Sequence, residues 1–393
     1  MAGSEKHHHI IYSTINQTQQ DCPMSSKADD FLKSIVTQGV SDVHFKVGRP
    51  TLLRINGILQ TCNTPPLAPQ DTEYLAATFL GEKRWEKFQE LSEYDTSYAI
   101  PGFSRFRVNV FRQRGTISLV LRVIPFNVPT IDELGVPPVV KQLALAPRGL
   151  ILVTGATGTG KSSTLAGMIN HVNEHRECHV ITIEDPIEFL HRDKKASINQ
   201  REVGVDTNNF NDAFRAALRQ DPDIILVGEL RDLETMTIAL RAAETGHLVM
   251  STLHTTDAKE TIGRFIDTFP PHQHRQVRMQ LAANLRAVVS QRLLRRADGR
   301  GLVLAAEIMV VNAAIREYIA DESKFAEIQA HIEKGREAYG MQTFDQALFD
   351  LFKRGVVSAE EAIRNATSPN DFRLRLNFEQ QGSVVPQGIE ISS

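Results

Sequence analysis

Residues 152–163 read LVTGATGTGKSS and contain Gly155-x4-Gly160-Lys161-Ser162. The apolar run GLILVTG leads into the motif, and STLAGMINHV, with a helical pattern, follows it. Strand, glycine-rich loop and helix in that order form the setting in which this motif wraps phosphates. The glycines are needed because the loop turns its backbone N–H groups inward around an anion, where a Cβ would obstruct. Gly155, Thr157, Gly158, Thr159, Gly160, Lys161, Ser162 and Ser163 are thus the expected cradle for a nucleotide's phosphates. Lys161 is placed to reach the β- and γ-phosphates, and the Ser162 hydroxyl to ligate Mg²⁺. The start of the following helix adds its positive end.

Working outward, five apolar runs alternate with helical stretches from about residue 135: GLILVTG, HVITIED, DIILVGE, HLVMST and LVLAAEIMVV. That alternation predicts an α/β fold with a mainly parallel sheet and helices on its faces. Three of the runs end in chemistry-bearing residues. VITIEDPIEFLH puts Glu184, Asp185 and Glu188 at a strand end and the turn after it, where an attacking water must be oriented. In isolation the same letters also read as a solvated acidic turn. DIILVGE ends in Glu229, a strand-terminal acid suited to hold Mg²⁺ or its water. LVMSTLH ends in His254, with Thr255 and Thr256 beside it. A satisfied core histidine or a helix cap is the plainer reading of His254 alone. Beside a phosphate loop and two acid-tipped strands, a γ-phosphate sensor is the better one. His247 reads as a packing residue.

The N-terminal part has a different texture. ADDFLKSIVTQG and TEYLAATFLGEKRWEKFQELSEY are helical patterns, whereas DVHFKV and TLLRINGIL alternate like strands, with Asn56-Gly57 a hairpin turn. SRFRVNVFRQRGTISLVLRVI reads as two further strands turning near Gly115. Its arginines are candidates to neutralise charge on a transferred phosphoryl group, a role often supplied from outside the nucleotide's own sheet. Strand alternation places Arg105 with Arg107, and Arg112 with Arg114. Surface charge is the alternative for each. PFNVPTIDELGVPP then breaks regular pairing with four prolines. The expected organisation is a flexible extension over 1–26, a small α+β domain over 27–125, a Pro-rich linker over 126–137, an ATPase domain with C-terminal helices over 138–376, and a disordered tail over 377–393. Near the end, Thr343…Gln346 and Ser358…Glu361 offer capping boxes for two helices.

Bulk numbers exclude several classes. A net charge of −3 and the lack of a basic-aromatic stretch argue against a nucleic-acid binder working by bulk charge. Three scattered cysteines form no CxxC pair, which argues against a structural zinc site or disulfide framework and favours a reducing cytoplasm. No apolar run approaches the roughly 20 residues of a membrane helix, and the polar start carries no signal-peptide core, so membrane association is expected only through a partner. The His7-His8-His9 run sits in that polar start and forms no preorganised metal site.

The phosphate loop taken with ITIEDPIEF, QREVG, RQDPDIILVGELRD, AAETGHLVMSTLHT and GMQTFDQAL closely resembles the type IV pilus retraction ATPases, the PilT/PilU family of the secretion-ATPase superfamily. The resemblance runs from about residue 27 to 376. SDVHFKVGRPTLLRINGIL is similar to that family's PAS-like N-terminal domain, and GMQTFDQALFDLFKRG through SPNDFRLRL is closer to the PilU end of the family. VGELRD is closer to PilT, whose AIRNLI helix motif is matched only in part by AAIREYI, residues 313–319. The resemblance implies a RecA-like core, a homohexameric ring and ATP hydrolysis coupled to pilus disassembly and twitching motility. It implies Lys161 and Ser162 as Walker A residues, Glu188 as general base, Glu229 as the Walker B acid on the Mg²⁺ side and His254 as the His-box residue. Arg107, Arg112 and Arg122 become the candidates to act on a neighbouring subunit's nucleotide. The implied partners are a PilC-like platform protein of the inner membrane and a paralogous retraction ATPase, at the cytoplasmic pilus base. An accessory ATPase dependent on a paralogue is one alternative. An assembly ATPase is another, which the short N-terminus and scattered cysteines disfavour.

Overall fold

The computed structural model describes residues 24–36, 39–55, 57–124 and 127–382. Cys22, Asn56 and the His7–His9 run lie outside them. The chain divides into two compact units between Phe126 and Asn127.

Among the described residues, the first unit has a six-stranded antiparallel sheet and three helices. Its strands are β1 (Val40–Lys46), β2 (Leu52–Ile55), β3 (Ile58–Thr61), β4 (Glu93–Ile100), β5 (Ser104–Gln113) and β6 (Thr116–Ile124), in the order β3-β2-β1-β6-β5-β4. Helices α1 (Met24–Val36), α2 (Pro69–Leu80) and α3 (Glu82–Leu91) contribute Leu32, Phe79 and Phe88 to a core shared with Val43, Phe45, Phe106, Val108 and Leu121 of the strands. Period-2 alternation explains the split: along β5, Phe106, Val108 and Val110 are buried while Arg107 is exposed. α1 begins at Met24, inside the expected extension over 1–26. The helical pattern expected through Tyr94 stops at Leu91, because Ser92 turns left-handed at φ 65° and the chain reverses into β4. β4 went unread because its period is carried by Tyr94, Thr96 and Tyr98, which face Val110, Val108 and Phe106 of β5. Arg114 also departs from strand alternation; it takes φ 49° in the turn before Gly115.

On the other face of this sheet a charged row crosses four strands in register. Arg54 and Arg122 both flank Asp42, and Arg107 lies opposite Arg122. Arg122 Nε donates to Asp42 Oδ1 at 2.8 Å, and Arg54 lies 3.6 Å from Oδ2. Burial works to raise the Asp42 pKa, but hydrogen bonds from Arg122 and Ser41 and the charges of Arg122 and Arg54 outweigh it, and the pKa lies below the usual aspartate value. A carboxylate depressed on folding adds stability above its unfolded pKa of about 4 and loses it as pH falls through the folded value. Arg122 is 69% exposed, which discounts the pair. Arg122→Gln is therefore expected to cost this unit about 1 kcal/mol at pH 7 and close to nothing below pH ~3. Trp85, the chain's one tryptophan, packs on Phe88 and reports this unit alone in a denaturant melt followed by fluorescence. An unchanged midpoint at pH 7 would show that the pair contributes nothing.

The second unit is built on β7 (Gly149–Thr154), β8 (His179–Glu184), β9 (Ser197–Glu202), β10 (Ile224–Val227), β11 (Leu248–Leu253), β12 (Leu285–Arg295) and β13 (Leu302–Val310). Their order is β13-β12-β7-β11-β10-β8-β9. All neighbours are parallel except β13, which runs antiparallel to β12. The central strands β7, β10 and β11 are buried at every position, as a sheet covered on both faces requires. Helix α4 (Lys161–His175) packs one face through Leu165, Met168 and Val172. Helices α5 (Phe210–Ala217), α6 (Leu233–Glu244), α7 (Ala258–Asp267) and α8 (His274–Asn284) pack the other through Phe214, Leu240, Phe265 and Leu281. Two strands were not among the five read from sequence. β9 is a polar edge strand, and β12 mixes Arg286, Ser290 and Gln291 into its apolar pattern.

The stretch expected as a linker over 126–137 is mostly not one. Ile131 and Val136 are buried with Leu165 and Met168. The segment crosses α4 so closely that a Cβ on Gly167 would sit 3.1 Å from the Pro129 carbonyl. Of the expected linker, residues 127–137 thus belong to the ATPase unit. At the C-terminus, the Thr343–Gln346 capping box closes reciprocally on α9 (Phe344–Lys353), while Ser358 caps α10 (Ala359–Asn365) through the Glu361 N–H. Helix α11 (Pro369–Gly382) runs past Leu376, into the region expected to be disordered.

Candidate active site

β7 delivers the chain to the phosphate loop, and α4 starts at Lys161. The loop's tight wrap depends on Gly155, with φ +142°: a Cβ there would lie 2.6 Å from both the Gln291 carbonyl and Thr159 Oγ1. Lys161 is 9% exposed and donates to the carbonyls of Gly155 at 2.8 Å and Ala156 at 2.9 Å. Burial pulls the ammonium pKa down, and the charges of Glu229 and Glu188 only partly restore it. A desolvated ammonium at a helix N-terminus is a strong receptor for phosphate.

The neighbours of β7 carry the other groups. β11, β10 and β8 follow it across the sheet, so their C-terminal ends open on one edge. A cavity of about 590 Å³ lies there, a volume suited to a nucleotide. Its wall includes Thr157, Gly158, Gly160, Lys161, Ser162 and Ser163 from the loop, and Glu188, Glu229, Arg231 and His254 from the strand ends. Gly155 and Thr159 are not part of that wall; Thr159 Oγ1 donates to the Ala156 carbonyl at 2.9 Å. Ser162 Oγ donates to Glu188 Oε1 at 3.1 Å. Glu229 Oε1 lies 3.2 Å from His254 Nε2, and its Oε2 accepts from Arg231 Nε at 2.8 Å. Ser162, Glu188 and Glu229 offer the hard oxygen donors that Mg²⁺ prefers.

The His254 side chain is 47% exposed, so the core-histidine alternative does not hold. Thr255 and Thr256, the expected assistants, are engaged elsewhere. Thr255 Oγ1 is buried 2.7 Å from Thr261 Oγ1, and Thr256 Oγ1 donates to Glu260 Oε2 at 2.5 Å, at the start of α7. His247 packs as expected, with Nδ1 2.9 Å from the Ala242 carbonyl at the end of α6.

A supporting layer holds the turn that carries Glu188. Gln200 of β9 donates from Nε2 to Glu184 Oε1 at 3.1 Å and to the Phe189 carbonyl at 2.9 Å, and its Oε1 accepts from the His191 N–H. Glu202 Oε2 accepts from the Ile187 N–H at 3.1 Å. Burial raises the Glu184 carboxyl pKa, against the hydrogen bonds from Thr182 and Gln200. The same environment, with the charge of Lys194, pushes His191 down to about 4, so its ring is neutral at pH 7. Sequence reading assigned no role to Gln200, Glu202 or Arg231. Arg231 carried a local signal, two residues beyond Glu229. The glutamine and glutamate of β9 had none, because only the fold brings that edge strand to the turn.

The three candidate arginines belong to the first unit, where they differ. Arg122 is engaged by Asp42. Arg112 donates to Gln89 Oε1 at 2.7 Å and lies over the Phe88 ring. Arg107 is exposed, beside Asp95 and Asn109, with no hydrogen bond or ion pair among the described residues.

Residues 17–300 match the family described as Type II/IV secretion system protein. The chain is 47% identical over 335 residues to the type IV pilus retraction ATPase PilT of Pseudomonas aeruginosa, covering 85% of this chain and 96% of that one. It is 38% identical over 368 residues to the type IV pilus ATPase PilU of the same organism, covering 92% and 96%. A crystal structure of the pilus retraction motor PilT with bound ADP superposes with a TM-score of 0.80 at 45% identity, over 87% of this chain and 97% of that one. The phosphate loop, the acid-tipped strands and these likenesses agree: the chain is an ATP hydrolase that belongs to the PilT/PilU family of type IV pilus ATPases.

Proposed function

We propose that the chain is a hexameric motor that hydrolyses ATP to retract a type IV pilus. The observation that carries this reading is the single cavity that gathers Lys161, Ser162, Glu188, Glu229 and His254 at the ends of four adjacent parallel strands. Lys161 and the loop N–H groups hold the phosphates. Glu188 takes the proton of the attacking water, and His254 faces the γ-phosphate and reports its loss. Mg²⁺, when bound beside Ser162 and Glu229, neutralises charge on the phosphates. The described residues contain no helix long and apolar enough to cross a membrane. The motor works from the cytoplasmic side and reaches the pilus through an inner-membrane platform protein. ATPase assays with mass measurement, with and without nucleotide, test the reading directly. A protein that hydrolyses ATP only as a monomer would overturn the ring.

The charge that develops on the γ-phosphate is met by an arginine from the neighbouring subunit, and Arg107 is the candidate whose guanidinium is free among the described residues. In a ring, each nucleotide then sits at a head-to-tail interface. Arg107→Ala and Lys161→Ala are each expected to be inactive alone. Mixed in equal parts, they should recover up to about a quarter of wild-type turnover, because some interfaces inherit both intact residues. No recovery would place Arg107 outside the site and turn attention to Arg112 and Arg122.

A second reading, an accessory retraction ATPase that depends on a paralogue, is favoured by the C-terminal end. The likeness to PilU covers 92% of the chain. Retraction in cells that hold this chain as their one retraction ATPase separates the two.

A further inference from the structure

Both carboxylate oxygens of Glu229 are engaged by side chains of the same chain: Oε1 lies 3.2 Å from His254 Nε2 and Oε2 accepts from the Arg231 guanidinium at 2.8 Å. The carboxylate is on the inside of this cluster. Glu229 is 19% exposed, Arg231 63% and His254 47%. The residue between Glu229 and Arg231 is anchored. Leu230, between the two, is 1% exposed in the core, and its N–H donates to the Thr252 carbonyl. Glu229 and Arg231 flank this anchored residue. His254 has a role in the proposed chemistry; Arg231 has none.

We propose that Arg231 is a positioning residue that holds Glu229 away from the metal side of the site, so that a divalent cation must displace an internal cation to reach this carboxylate. The inference rests on reading Glu229 as the metal-side acid. A guanidinium hydrogen-bonded to a carboxylate neutralises it and repels a second cation at short range. For Glu229 to turn to the metal, Arg231 has to leave. The charge of Asp185 also acts on it. Asp185 heads the turn that carries Glu188, which Gln200 and Glu202 brace from behind.

The test needs no turnover. Mn²⁺ binding to the full-length protein loaded with ADP is read from the electron paramagnetic resonance of free Mn²⁺, in wild type, Arg231→Gln, Glu229→Gln and the double variant. Arg231 is mostly exposed, so its replacement leaves the core intact. Breaking an exposed pair of this kind should tighten Mn²⁺ binding by about two- to fivefold. The gain should vanish in the Glu229→Gln background, because the two residues act through one contact. Unchanged or weaker Mn²⁺ binding in Arg231→Gln overturns the proposal. So does a gain that persists without the Glu229 charge, since that would be bulk electrostatics. If Glu229→Gln alone leaves Mn²⁺ affinity unaltered, the metal-side reading of Glu229 fails as well. If it weakens binding while Arg231→Gln does nothing, only the lock is lost.

Discussion

Glu188→Gln should lower kcat for ATP hydrolysis by about 10²- to 10⁴-fold, the usual contribution of a positioned general base, and leave nucleotide binding at or above wild type. The substitution is close to isosteric. Its carbonyl oxygen still accepts the Ser162 hydroxyl now 3.1 Å away, so the turn and the loop stay joined. What disappears is the proton acceptor and one negative charge. Removing a negative charge beside the phosphates strengthens binding, so KM falls or holds while kcat collapses. Glu184 is the comparison. It lies on the same strand-to-turn segment, but its Oε1 is already taken by Thr182 and Gln200. Glu184→Gln should therefore cost far less, about tenfold, through slackening of the turn rather than loss of the base. If Glu184→Gln were the more damaging of the two, the base would have to be reassigned. Steady-state kinetics on both variants, with ADP affinity measured separately, decides it.

How far the sequence could be read follows the physics of each element. β7, β10 and β11 are buried on both faces, and that burial shows in the sequence as the apolar runs LILV, IILV and LVM. The phosphate loop is legible because its glycines and lysine obey a local geometric demand. Glu188, Glu229 and His254 could be placed together because strand ends in a parallel sheet share an edge. The edge strands were harder. β4 carries its alternation in tyrosine and threonine, and β9 in polar residues whose partners lie in a distant turn. Those partners, Gln200 against Phe189 and His191 and Glu202 against Ile187, are tertiary facts with no local signature. The proline-rich stretch misled for a related reason. Prolines do stop regular pairing, but Ile131 and Val136 supply enough apolar surface to dock it against α4.

Lys161→Met should abolish measurable turnover and weaken ADP binding by about 30-fold or more, since truncating one partner of a buried, hydrogen-bonded charge pair costs about 2–5 kcal/mol. The same change is expected to make the nucleotide-free protein more stable. Lys161 keeps its ammonium in a site only 9% exposed, with two loop carbonyls in place of water. Its lowered pKa reports the strain of that burial. Methionine fills a similar volume without a charge to desolvate, so the apparent melting temperature should rise by about 2–4 °C for each kcal/mol recovered. ADP should then stabilise the wild type and leave the variant nearly unmoved, because the gain scales with binding. The two melts together separate a residue that holds the fold from one kept for its ligand. A Lys161→Met protein that melts lower than wild type without nucleotide would put Lys161 in the first class, and the phosphate cradle would lose its cation.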